Sequence, residues 1–97
     1  KMKKSSVIVN TARGGIINEN DLEKALNEKL IFGSALDVFS KEPVEKNNPL
    51  LKNNRIILSP HSATFTNECT SRMSIETTKN IIDFFENKID KSMVVKL

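Results

Sequence analysis

Three short apolar runs limit what this chain can become: Val7-Ile8-Val9, Ala35-Leu36-Asp37-Val38-Phe39 and Ile56-Ile57-Leu58-Ser59. None is long enough for a helix. The first is β-branched throughout, which reads as a strand buried on both faces, the signature of a parallel sheet. Between the first two runs, Leu22, Ala25, Leu26 and Leu30 recur at helical spacing, with Asn18 placed to cap and acids in the first turn. That spacing predicts an amphipathic helix of about three turns. Gly33 breaks it. Strand, helix, strand in this order is a crossover unit, which joins parallel strands in a right-handed sense.

The third run follows a polar stretch, residues 40–54, with two prolines, long enough that it is expected to be functional or partly helical. Pro60 ends the third strand. From Thr66 to about Asn87 a second helix is expected, with Cys69, Met73, Ile81, Phe84 and Phe85 on one face and Ile75 and Ile82 widening it. A helix this apolar must cover the sheet or dock on another domain. Met93-Val94-Val95 reads as a short extended segment.

At 97 residues the chain has room for one compact core. With 38% apolar and 28% charged residues it has the composition of a soluble globular protein, and no apolar run reaches the roughly 20 residues that span a bilayer. A net charge of +3 is spread over interleaved lysines and acids, a solvated surface rather than a nucleic-acid footprint. The lone Cys69 excludes an intrachain disulfide framework and a cysteine-rich zinc site, which suits a reducing, cytoplasmic compartment. No metal site is expected. The first residue is Lys1 and no leader pattern follows, so the chain is expected to be an excerpt of a longer protein.

In a parallel α/β sheet, ligands gather beyond the carboxyl ends of the strands. There the sequence puts Arg13 after the first strand, Asp37 in the second with Glu42 beyond it, and His61 after the third. Glu42 is the natural partner for one ring nitrogen of His61, fixing its tautomer and leaving the other nitrogen for proton transfer. Arg13 offers a planar fork for a carboxylate. Each residue has a plainer reading as well: a structural histidine, an exposed loop acid, a surface ion pair, an acid that caps a turn. Gly14 and Gly15 could serve only the turn, and Cys69 only the packing.

The runs "VNTARGGIINENDLEKAL", "GSALDVFSKEP", "PLL" and "ILSPHSAT" resemble, in order and spacing, the C-terminal part of the NAD-binding domain of the D-isomer-specific 2-hydroxyacid dehydrogenases. The likeness covers about residues 6 to 90. It implies an α/β fold, the C-terminal part of a Rossmann-like parallel sheet of about three strands with flanking helices, from a larger two-domain protein. Residues 1–63 would belong to the NAD-binding domain, and residues 64–97 would form a return helix and tail packing toward the substrate domain. It further implies hydride transfer between NAD(H), or NADP(H), and a D-2-hydroxy or 2-oxo acid, with Arg13 on the substrate carboxylate, His61 as acid/base and Glu42 orienting it. Thr11, Ala12, Arg13, Asp37, His61, Ser62 and Ala63 would line the nicotinamide.

Ser62 and Ala63 depart from the aliphatic residue and glycine common there, and a glutamate at position 42 argues against the related formate dehydrogenases. The family's phosphate-cradling G-x-G-x-x-G is absent, since Gly14, Gly15 and Gly33 are the only glycines. The chain is therefore expected to need the other half of the enzyme and to be inactive alone, and the resemblance further implies a homodimer. The alternative is a catalytically silent or corepressor-like binding module of the same family.

Overall fold

A computed structural model describes residues 1–95 and divides the chain into two compact units, one of residues 1–63 and one beginning at Thr64. In the first, β1 (Val7–Asn10), β2 (Gly33–Leu36) and β3 (Ile56–Leu58) form a parallel sheet in the order β1-β2-β3. Val7 to Asn10 pair with Gly33 to Leu36 in step, and Ser34 to Leu36 pair with Ile56 to Leu58. This register fixes two faces. Ile8, Ser34, Leu36, Ile56 and Leu58 share one, and Val7, Val9, Ala35 and Ile57 share the other, because successive side chains alternate across a strand.

Helix α1 (Glu19–Asn27) covers the first face. Leu22 and Leu26 from α1, Ile31, Leu36 from β2 and Leu50 form the buried core, with Ile8, Ile17, Ala25, Ile56 and Leu58 packed against it. Leu50 sits in a short 3-10 turn, Pro49–Lys52, so the long polar connection is partly helical as expected. The opposite face stays open: Val7, Val9 and Ile57 are 52%, 64% and 75% exposed. The expectation of a strand buried on both faces is thus corrected. One crossover helix can cover only one side of a sheet, and no other element of this unit covers the second.

Asn18 caps α1 as expected, accepting from the N–H groups of Asn20 and Asp21 at 3.0 and 3.1 Å. The helix stops earlier than the apolar spacing implies, and Leu30 lies outside it. Lys29 takes a left-handed conformation (φ 55), Leu30 N–H donates to the Ala25 carbonyl and Lys29 N–H to that of Leu26. This is a Schellman end built without glycine. Gly33 opens β2 rather than ending the region before it, because a Cβ there would stand 3.0 Å from the Arg55 carbonyl oxygen. β2 also ends sooner than expected, at Leu36, so Asp37 lies just beyond the strand and not within it.

In the second unit, α2 (Asn67–Phe85) begins at the Thr66 cap and ends in the same way, with Asn87 at φ 56 and Lys88 N–H on the Asp83 carbonyl. No residue of α2 is buried, and Met73, Ile75, Ile81, Ile82, Phe84 and Phe85 are all at least half exposed. Of the expected extended segment Met93-Val94-Val95, Met93 is corrected: Lys91–Met93 is a 3-10 turn, because the Asp90 carboxylate accepts from Ser92 N–H and winds the chain there, whereas Val94 beyond it is extended (φ -91, ψ 120).

The core argument gives a direct test. Leu26→Ala is expected to lower the unfolding free energy by about 2–5 kcal/mol in denaturant titrations, whereas the exposed Lys24→Ala changes it by under about 0.5 kcal/mol.

Candidate functional site

Each strand of the sheet hands its chain to the same rim, and each does so through a polar residue. At the end of β1, Asn10 is buried, and its side chain closes the next turn. Its Oδ1 accepts from Ala12 N–H at 3.1 Å and its Nδ2 donates to the Arg13 carbonyl at 2.9 Å. Its own carbonyl accepts from Asp37 N–H at 3.0 Å. One amide thus shapes the Thr11–Arg13 tip and joins it to the end of β2. Gly14 then presses against the next loop so closely that a Cβ would stand 1.8 Å from the Phe39 carbonyl oxygen. Only glycine fits.

Asp37 is 3% exposed, yet its carboxylate is well supplied with donors. Oδ1 accepts from the Ser59 hydroxyl at 2.5 Å and from Ser62 N–H at 2.9 Å, and Oδ2 accepts from Ala63 N–H at 2.9 Å. These bonds, the Ser59 hydroxyl first, hold its pKa below the ordinary carboxylate value. Asp37 therefore ties the end of β2 to the turn after β3. On that turn His61 stands in the left-handed region at φ 53, where a residue other than glycine persists only if its surroundings hold it.

Glu42 completes the group. Its Oε1 accepts from Phe39 N–H at 2.9 Å, and its Oε2 lies 2.7 Å from His61 Nδ1. The bond from His61, then that from Phe39, lowers its pKa. With the carboxylate on Nδ1, that nitrogen carries the ring proton and Nε2 bonds to no other described residue. A half-exposed imidazole oriented in this way can give or take a proton at Nε2.

The structure thus joins Glu42 to His61, and Asp37 to Ser62 and Ala63. Arg13 sits on the neighbouring tip with Thr11 and Ala12, and all three are exposed. Its guanidinium donates to the Ala12 carbonyl at 2.6 Å and pairs with no carboxylate among the described residues. The surface ion pair considered for it is not there. Sequence reasoning missed Asn10 and Ser59. An Asn closing a strand ahead of a Gly pair is a turn signal that could have marked the first, but Ser59 becomes visible only once β2 and β3 are paired.

An apolar hollow of about 670 Å³ lies elsewhere, between α1 and the chain start, lined by Ile8, Ile17, Leu22, Ala25 and Ile31, and none of the rim residues reaches it. Among the described residues no cluster of His, Cys, Asp and Glu could hold a metal ion, and no helix is long and apolar enough to cross a membrane.

The two rim carboxylates, both with lowered pKa values, contribute a pH dependence. Their contribution to stability is complete above the unfolded values near pH 4, and it is lost as pH falls through the lower native values. Thermal midpoints are expected to fall below about pH 4, and Asp37→Asn is expected to flatten that dependence while lowering the midpoint at neutral pH. Gly14→Ala is expected to destabilise by about 1–3 kcal/mol in denaturant titrations, since the Phe39–Ser40 backbone must move.

Comparison with known proteins matches residues 1–63 to the family described as D-isomer specific 2-hydroxyacid dehydrogenase, NAD binding domain. A glyoxylate reductase of Korarchaeum cryptofilum is 39% identical over 97% of this chain and 28% of its own length. Among solved structures, a glyoxylate reductase from Paecilomyes thermophila matches with a TM-score of 0.74 at 36% identity, over 98% of this chain and 27% of that one. An acyclic imino acid reductase in complex with NADPH and D-Arg matches with a TM-score of 0.79 at 32% identity, over 91% of this chain and 28% of that one. The chain therefore spans a little over a quarter of the length of these relatives.

Proposed function

We propose, because the chain belongs to the D-isomer specific 2-hydroxyacid dehydrogenase family, that it supplies the proton-transfer edge of an NAD(P)-dependent reductase acting on small 2-oxo acids. The observation that carries this reading is the bond between His61 Nδ1 and Glu42 Oε2 on the rim where the three strands end. Glyoxylate and hydroxypyruvate are the substrates of choice, since similar proteins are glyoxylate and glyoxylate/hydroxypyruvate reductases.

The reaction adds a hydride to the carbonyl carbon and a proton to its oxygen, turning C=O into CH–OH. A bound nicotinamide cofactor supplies the hydride. His61, protonated on both nitrogens, gives its Nε2 proton to the carbonyl oxygen, and the Nδ1 proton stays on the ring, donated to the Glu42 carboxylate. In oxidation the neutral ring takes that proton back. Arg13 holds the substrate carboxylate. Among the described residues only the Ala12 carbonyl engages the guanidinium, so most of its five donors remain for a two-pronged grip and for the charge that develops on the oxygen.

The rim also fits the nicotinamide end of such a cofactor. Three of the roughly four acceptor positions of Asp37 are taken, so a bound cofactor would find one left on this carboxylate for a donor of its own. Thr11, Ala12, Ser62 and Ala63 are small enough to let a flat ring approach. The pyrophosphate end has no cradle here, since the three glycines form no G-x-G-x-x-G. The rest of the protein must provide it, so this chain by itself is inactive in our reading. The exposed apolar residues of α2 suit a helix that packs toward the substrate domain of the whole enzyme.

The test uses the full-length protein with glyoxylate and NADH or NADPH. His61→Ala is expected to lower kcat by about 10²–10⁴-fold while the cofactor Kd, read by nucleotide fluorescence, stays within about twofold. Arg13→Lys, which loses the fork, is expected to raise KM for glyoxylate by about tenfold. Parallel loss of turnover and cofactor binding in His61→Ala would count against the assignment.

A further inference from the structure

We infer that Glu19 is a positioning residue for this site: it pins the base of the loop that carries Glu42 and so holds His61 in its oriented state. The inference rests on the hydride-transfer reading above and extends it to a residue outside the rim.

Glu19 is the first residue of α1, next to the Asn18 cap, and its backbone is fixed by the packing of Leu22 and Leu26. Its carboxylate reaches across to both ends of the segment 40–48. Oε1 accepts from Ser40 N–H at 2.5 Å, and Oε2 accepts from the Asn48 side-chain amide at 2.9 Å. Asn48 is anchored in turn, because its Oδ1 accepts from the N–H of the fully buried Leu50. The loop is therefore closed at its base by one carboxylate attached to the core.

What lies inside that closure gives the contact its meaning. The Phe39–Ser40 backbone is gripped on three sides: Phe39 N–H by Glu42, Ser40 N–H by Glu19, and the Phe39 carbonyl against Gly14, beside Arg13. Moving it shifts the brace of His61 and the tip that bears Arg13 together. Burial alone would raise the Glu19 pKa, and the bonds from Ser40 and Asn48 outweigh that and lower it, so the carboxylate keeps the charge that makes both bonds strong. An acid needed only for the helix dipole could be an aspartate, as Asp21 is in the same turn. An aspartate at position 19 is one methylene too short to span Ser40 and Asn48.

The experiment compares Glu19→Asp, Glu19→Gln and Glu19→Gln/Asn48→Asp in the full-length protein, each checked for cooperative thermal unfolding. In Glu19→Gln the new amide faces the Asn48 amide, donor against donor, and Asn48→Asp restores an acceptor. With glyoxylate and NADH or NADPH, each single change is expected to lower kcat by about tenfold without altering cofactor Kd, and the double change to restore it. In a Glu42→Gln background the Glu19→Asp loss should shrink to less than about twofold, since the two residues act in series. Independently of turnover, the downfield Nδ1 proton resonance of His61 should weaken in the single variants and return in the double one. A full tenfold loss in the Glu42→Gln background, or an unchanged resonance in Glu19→Asp, would overturn the inference. If the unaltered protein reduces no 2-oxo acid, the functional reading fails, while the resonance still decides the role of Glu19.

Discussion

A carboxylate that is almost entirely buried yet charged must be surrounded by donors, or it costs more than a small domain can tolerate. Asp37 meets that condition by drawing the Ser59 hydroxyl and the N–H groups of Ser62 and Ala63 onto itself. The turn after β3 has its shape because of this demand. His61, held at a backbone angle that side chains other than glycine rarely adopt, is carried on that turn. The neighbouring Asn10 does for the β1 tip what Asp37 does for the β3 turn, and the two meet through the bond from Asp37 N–H to the Asn10 carbonyl. A satisfied polar network of this kind specifies one geometry where apolar packing alone would allow several.

The sheet beneath the rim has one covered face and one open one. The covered face, closed by α1 and the turn around Leu50, supplies the rigidity from which the loops project. The open face, with Val7, Val9 and Ile57, and the apolar side of α2 expose more hydrophobic surface than a self-sufficient small protein normally carries. The relatives that the chain matches are more than three times as long as this chain. The rim is open as well: Thr11, Ala12, Arg13, Glu42 and His61 are all exposed.

Much of the architecture was legible in the residues. Three short apolar runs and one amphipathic stretch fixed a parallel β-α-β-β unit, the Asn18 cap was where local chemistry favours it, and the second helix began within a residue of the expected Thr66. The errors were local. β2 began at Gly33 and stopped at Leu36, because the close approach of Arg55 and the turn at Asp37 are tertiary facts that apolar spacing does not record. The helix end at Lys29 required a left-handed residue that nothing in the side-chain pattern announces. Double burial of β1 was read from its β-branched composition, but Val7 and Val9 are exposed, because composition does not record how many layers pack on a sheet.

The sequence by itself determined which chemical groups stand at the strand ends, because the order of strand, helix and loop fixes on which edge Arg13, Asp37, Glu42 and His61 emerge. Only the tertiary structure decided which of them touch. Glu42 and His61 are nineteen positions apart and Asp37 and Ala63 twenty-six, and their contacts depend on the register between strands and on angles within turns. Hydrogen bonds act over about 3 Å, whereas residue patterns locate a side chain only to within a turn of chain. Partnerships at the rim are therefore set by packing, after composition has chosen the partners.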